Sequence, residues 1–201
     1  MMPKMDGFEL CKKIKTDERT SHIPVILLTA KAAKQDKIEG YELGADEYLM
    51  KPFEPDELRV RIKNLIEQRK KLHEHFKKKG ILEVDETKIT SVDKKFLQKA
   101  FEIINKNISE ITFGVEALAG LLNVSRSVLH RKIVSLTGES PGDLIRRIRL
   151  TKAAHLIEQK FGNISEIAIE VGFSNPAQFS QSFQRQFGVT PSAYQLKITN
   201  S

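Results

Sequence analysis

The chain is predicted to be mostly α, with a C-terminal all-α double helix-turn-helix domain preceded by a partial α/β segment. Three observations predict this. Short apolar runs alternate with helical patterns over the first 80 residues, only helical patterns follow from about residue 91, and those later helices form two copies of one unit some 50 residues apart.

Taken in order, residues 7–15 are amphipathic, 23–29 (IPVILLT) are a continuous apolar run, and 32–43 are again helical. A short strand at 47–50 precedes Lys51-Pro52-Phe53 and a long charged helix from about Pro55. Continuous apolar strands between helices indicate a parallel sheet buried on both faces. Two strands can hardly bury their helices, because such sheets usually carry about five or six. The segment therefore reads as the C-terminal half of an α/β domain that begins upstream. The expected division is 1–68 for this segment, 69–90 for a linker helix and connection, and 91–201 for the helical domain.

Gly114, Gly138, Gly162-Asn163, Gly172 and Gly188 punctuate the helical half. Ala119 and Ala168, Val124 and Phe173, and Ser125 and Ser174 are each 49 apart, whereas Leu129 and Phe179, Ile133 and Phe183, Gly138 and Gly188, and Pro141 and Pro191 are each 50 apart. One inserted residue explains the change, and the pattern is a repeated helix, turn, helix and Gly-x-x-Pro. In the first copy a helix over 115–122 ends at Asn123, a natural left-handed residue, and Ser125 caps the next helix. There Leu129, Ile133 and Leu136 form the buried stripe, opposite Ser127, His130, Arg131 and Val134. Arg can make paired hydrogen bonds to guanine in the major groove, and His or Ser can donate to bases or phosphates.

In the second copy a helix over 164–172 is followed by a turn, with Ser174 expected to cap a helix reaching Phe187. Phe179, Phe183 and Phe187 are its core stripe. The facing stripe, Gln178, Gln181, Ser182 and Arg185, contains no acidic group, whereas a face serving solubility alone would carry Glu and Lys. Between the copies, 141–160 read as one helix with Arg146, Arg147 and Arg149 near its start, and Arg146 is expected on phosphate. Such a helix can hold two recognition helices about one DNA turn (~34 Å) apart.

The stretch Ala168…Gly172-Phe173-Ser174-Asn175…Phe179-Ser180…Phe183-Gln184-Arg185…Phe187-Gly188-Val189-Thr190-Pro191…Tyr194 resembles the signature of the AraC/XylS family of bacterial transcription regulators. The first copy joins the match through Leu118-Ala119…Ser125…Leu129…Arg131. The resemblance implies a seven-helix DNA-binding domain. It also implies base contacts from Ser127, His130 and Arg131, then Asn175, Gln178 and Gln181.

The first segment is similar to a response-regulator receiver domain, a flavodoxin-like fold. MMPKMDGFELC looks like the stretch just after the phospho-accepting strand, Thr29 like the switch hydroxyl, Tyr48 like the switch aromatic and Lys51-Pro52-Phe53 like the Lys-Pro motif, with Thr29 and Lys51 spaced by 22. In that family the phosphorylated Asp lies about two residues before the position of Met1 and the acidic Mg²⁺ pair lies far upstream. Phosphoryl transfer needs both. Thr29, Tyr48 and Lys51 are therefore read as remnants of a switch, with no cofactor and no Mg²⁺ site in this chain. The combination resembles the C-terminal end of a hybrid two-component sensor, with a histidine-kinase module upstream.

Charge agrees with a nucleic-acid partner without naming one: 33 Lys and Arg against 26 Asp and Glu leave +7 and a pI near 9.4. The excess is shared, +4 on residues 1–80 and +3 on 81–201. No apolar run reaches the ~18 residues of a membrane span, the N-terminus lacks the flanks of a signal peptide, and Cys11 has no second cysteine to pair with, so a cytoplasmic chain without membrane contact is expected. His22, His73, His75, His130 and His155 show no metal-site spacing, which argues against an enzyme. Leu58, Ile62, Leu65, Arg69, Leu72 and Phe76 follow heptad spacing with one polar interruption, from which a homodimer through residues 1–76 is expected. The competing reading is a protein-interaction or dimerisation module whose DNA binding needs an intact receiver.

Overall fold

The computed structural model describes residues 5–30, 40, 42–79 and 89–199. Its compact units are Met1–Gln98 with His130–Gly138, and Lys99–Leu129 with Glu139–Ser201.

In the first unit, Asp6 caps helix α1 (Gly7–Thr16) by accepting from the Glu9 N–H at 2.8 Å. Strands β1 (Ile26–Thr29) and β2 (Glu47–Met50) then pair in parallel, Ile26 opposite Glu47 and Thr29 opposite Met50. The strand is shorter than the apolar run that announces it: Ile23 donates its N–H to the Thr20 carbonyl in a turn, and the ladder starts only at Ile26. Cys11, Leu27, Ala45 and Tyr48 form the core between α1 and the sheet, joined by Phe8 and Val25. Lys15 is buried, and its ammonium is held by Asp46 at 2.5 Å and the Ile23 carbonyl at 2.9 Å. The same Asp46 carboxylate accepts the Val25 N–H at 2.7 Å, so one ion pair ties α1 to the entry of both strands. The helix expected over 32–43 lies outside the described residues apart from positions 40 and 42, which are helical.

Helix α2 spans Pro55–Lys79, as its charged pattern predicts. Part of its heptad stripe is covered by this chain itself: Leu65, Leu72 and Phe76 are buried, and the interrupting Arg69 donates to the His22 carbonyl at 2.9 Å. Val60, Ile62 and Ile66 remain as its exposed apolar positions.

Helix α3 (Ser91–Lys106) buries Phe96, Leu97, Ala100 and Ile104. The repeat follows as α4 (Val115–Leu121) and α5 (Arg126–Thr137), then α7 (Ile164–Glu170) and α8 (Pro176–Phe187), with α6 (Pro141–Glu158) between the copies and α9 (Pro191–Thr199) after them. Ser140 caps α6 and Pro141 sits in its first turn, where a missing N–H costs nothing. Leu150, Ala153, Leu156 and Ile157 of α6 pack with Ile167 and Ala168 of α7 and with Phe173, Phe179 and Phe183. The Phe stripe is core as expected, and Tyr194 of α9 extends it. The Phe173 and Phe179 ring centroids are 5.3 Å apart, edge to face, and Phe183 and Tyr194 are 5.5 Å apart in the same manner.

Candidate nucleic-acid interface

Each copy turns on one residue with positive φ: Asn123 at 55° and Gly172 at 79°. The backbone bond across the turn repeats as well, from the Val124 N–H to the Ala119 carbonyl (3.1 Å) and from the Phe173 N–H to the Ala168 carbonyl (2.9 Å). Asn tolerates this conformation in the first turn. The second needs glycine for space too, since a Cβ on Gly172 would stand 2.5 Å from the Ile108 carbonyl oxygen and 2.8 Å from the Arg149 guanidinium.

The turn sets the rotation of the helix that follows. On α5, Leu129, Ile133 and Leu136 are fully buried, which leaves Ser127, His130 and Arg131 exposed and Val134 half-buried. Ser125 accepts the Val128 N–H at 3.3 Å and lies 3.1 Å from the Ser127 hydroxyl, so it caps the helix as its position predicts. On α8, Asn175, Gln178, Gln181 and Arg185 are exposed and Ser182 is half-buried. Neither helix contains an Asp or Glu.

The cap of α8 differs from expectation. Asn175, not Ser174, holds it, accepting from the N–H groups of Ala177 (2.8 Å) and Gln178 (3.3 Å). Pro176 fixes the register, because proline favours the first helical position and so makes the residue before it the cap. The Asn175 side-chain oxygen is thereby engaged by its own backbone.

The α6 arginines all have partners. Arg146 is half-exposed and pairs with Asp143 at 2.6 Å, Arg147 pairs with Glu139 at 3.0 Å, and Arg149 donates to the carbonyls of Glu110 (2.6 Å) and Phe113 (3.3 Å). Burial pushes the Arg149 guanidinium below its ordinary pKa, in keeping with a structural role. Gly114, Gly142, Arg146, Arg149, Ser174 and Gln178 line a cleft of about 240 Å³, which brings the expected phosphate contact Arg146 together with Gln178 of α8. Sequence reasoning missed Ser174 as a lining residue and the exposed Arg126–Glu116 pair (2.9 Å) across the first turn.

In the first unit the strand ends bring two of the switch remnants together: the Lys51 N–H donates to the Thr29 carbonyl at 2.7 Å, one residue beyond the Thr29–Met50 pairing. Tyr48 is buried and Lys51 exposed. Among the described residues no group of three or more His, Cys, Asp or Glu is placed to hold a metal ion. No helix among them is long and apolar enough to cross a membrane.

Residues 118–197 match the family described as a helix-turn-helix domain, and residues 1–63 match the response regulator receiver domain. The chain is 46% identical over 199 residues to Histidine kinase P4 of Formosa agariphila, covering 99% of this chain and 14% of that protein. It is 36% identical over 155 residues to the DNA-binding dual master transcriptional regulator RpaA of Synechocystis, covering 75% of this chain and 61% of that one. The chain thus spans less than two thirds of either relative. A crystal structure of a transcriptional regulator with an AraC-type DNA-binding domain from Chromobacterium violaceum superposes with a TM-score of 0.50 at 26% identity, over 54% of this chain and 96% of that one.

Proposed function

Because the chain carries a response-regulator receiver segment followed by an AraC-type helix-turn-helix domain, we propose that it is the sequence-specific DNA-binding output of a two-component phosphorelay, acting in the cytoplasm with a histidine-kinase module as its upstream partner. The observation that supports this best is the pair of repeated recognition helices whose exposed faces hold Ser, His, Gln, Asn and Arg without one acidic residue. Arg131 and Gln178 suit base edges, because Arg pairs with guanine and Gln with adenine in the major groove. Arg146, at the rim of the cleft it shares with Gln178, suits a phosphate, with Asp143 as the partner it would exchange. On this reading α5 and α8 take successive major grooves. Self-association rests on the exposed Val60, Ile62 and Ile66, and sedimentation of the whole chain reads it.

Selection of bound fragments from random DNA, followed by two variants, tests the reading. Arg131→Ala should lose about 1–3 kcal/mol of discrimination at one base position. Arg146→Ala should weaken specific and random DNA alike and lower the salt slope by about 1. Equal losses on specific and random DNA for Arg131→Ala would remove α5 as a reading helix.

A further inference from the structure

α5 carries a second cation beside Arg131, and it points the other way. Lys132 is fully buried, although a lysine on a recognition helix invites assignment to DNA. Its ammonium lies 3.0 Å from the buried Asp93 carboxylate, donates to the Ser21 hydroxyl at 2.9 Å and to the Glu18 carbonyl, and sits 4.6 Å from the centre of the Phe96 ring. The Ser21 hydroxyl passes the chain of bonds on, donating to Asp93 at 2.7 Å. All three ammonium hydrogens are thereby used. One turn later the Ser135 hydroxyl donates to the His22 carbonyl at 3.3 Å, and the Ser135 carbonyl lies 2.8 Å from His73 Nε2. The turn after α1 and the inner side of α5 thus meet, inside the first unit, through the buried Lys132–Asp93–Ser21 network and through half-buried Ser135 beside it.

Such a network has one favourable arrangement. Breaking a buried pair strands a charge, whereas removing both charges together relieves it, so the contact fixes position more than it adds stability. We propose that the turn at residues 18–22 fastens the first recognition helix through Lys132, which makes Lys132, Asp93 and Ser21 positioning residues for the side of α5 that carries His130 and Arg131. The proposal rests on the DNA-reading function above. It also means that changes in the receiver segment reach base recognition through this turn.

The test uses the full chain and two independent readouts. Without DNA, Ser21→Ala should speed amide exchange over residues 130–138 about tenfold, as loss of a buried hydrogen-bond partner implies, with residues 176–187 unchanged. Lys132→Met should speed it further, and Lys132→Met/Asp93→Asn should recover much of the loss. With DNA, Ser21→Ala should broaden base preference at the half-site read by α5 and leave the salt slope as in the wild type, because a buried ammonium reaches no phosphate. Exchange over 130–138 that is unchanged in Ser21→Ala overturns the proposal, as does a reduced salt slope in Lys132→Met. A chain that binds no DNA but shows the exchange pattern refutes the DNA-reading function and keeps the fastening. Ser21→Ala, which removes one oxygen, keeps the test available if Lys132→Met does not fold.

Discussion

Asn123 and Gly172 hold the same turn, and Gly138 and Gly188 end the following helices with the same left-handed residue, at φ 73° and 77°. Between these matching ends α5 and α8 are anchored by different chemistry. α8 is seated by an aromatic cluster, Phe173, Phe179, Phe183, Phe187 and Tyr194, with centroid separations of 4.4–5.8 Å between neighbouring rings. α5 is seated by Leu129, Ile133 and Leu136 and by the buried ion pair of Lys132. An aromatic seat contributes in proportion to area and tolerates small shifts, whereas a buried ion pair demands one geometry. The same backbone unit thus occurs twice, with α8 held by buried aromatic area and α5 by one buried ionic geometry.

The largest effect expected within this comparison is Phe183→Ala. Phe183 is fully buried and touches three rings, so its loss should cost about 3–5 kcal/mol in urea unfolding. A cost below about 1 kcal/mol would mean that the aromatic seat is not what holds α8. Next come the caps. Asn175 accepts two N–H groups where Ser125 accepts one at 3.3 Å, so Asn175→Ala should cost about 1–2 kcal/mol and Ser125→Ala about 0.5–1. Equal costs would erase this difference between the copies.

The smallest effect is confined to the ionic seat. Burial is the main cause that holds the His22 pKa below the ordinary histidine value. The cations Lys132, Arg69 and Arg131 push the same way and Asp93 opposes them. A histidine with a depressed folded pKa binds protons more readily when unfolded, so its contribution is present above about pH 6.5 and lost as pH falls from there toward the folded pKa. Wild-type urea midpoints should fall on acidification through that range, and His22→Gln should flatten the fall. An identical slope in His22→Gln would exclude this group as the source.

Most of the helical half is legible because its signals are local. The spacing of Leu129, Ile133 and Leu136 repeats with the helix period, Asn123 and Gly172 are residues that accept positive φ, and Gly-x-x-Pro closes each copy. The cap of α8 was readable too, from Pro176, but the 49-residue match of Ser125 with Ser174 points one position early. The heptad on α2 shows the reverse case. Its spacing states that a stripe will be covered and is silent about what covers it, since Leu65, Leu72 and Phe76 meet the same requirement against their own unit as against a second copy.

The repeat, the apolar strands, the acid-free faces and the order of a receiver segment before helix-turn-helix copies were determined by the sequence alone, since each depends on residues a few positions apart or on a pattern copied along the chain. Tertiary structure alone decided the direction of Lys132. Its position three residues after Leu129 and four before Leu136 places it on the inner side of α5, yet a lysine goes inside only if every hydrogen finds a partner. Those partners are Asp93, Ser21 and the Glu18 carbonyl, 39, 111 and 114 residues away along the chain. No local pattern encodes that convergence, because the desolvation of a charge is offset only by groups that the folded chain brings together.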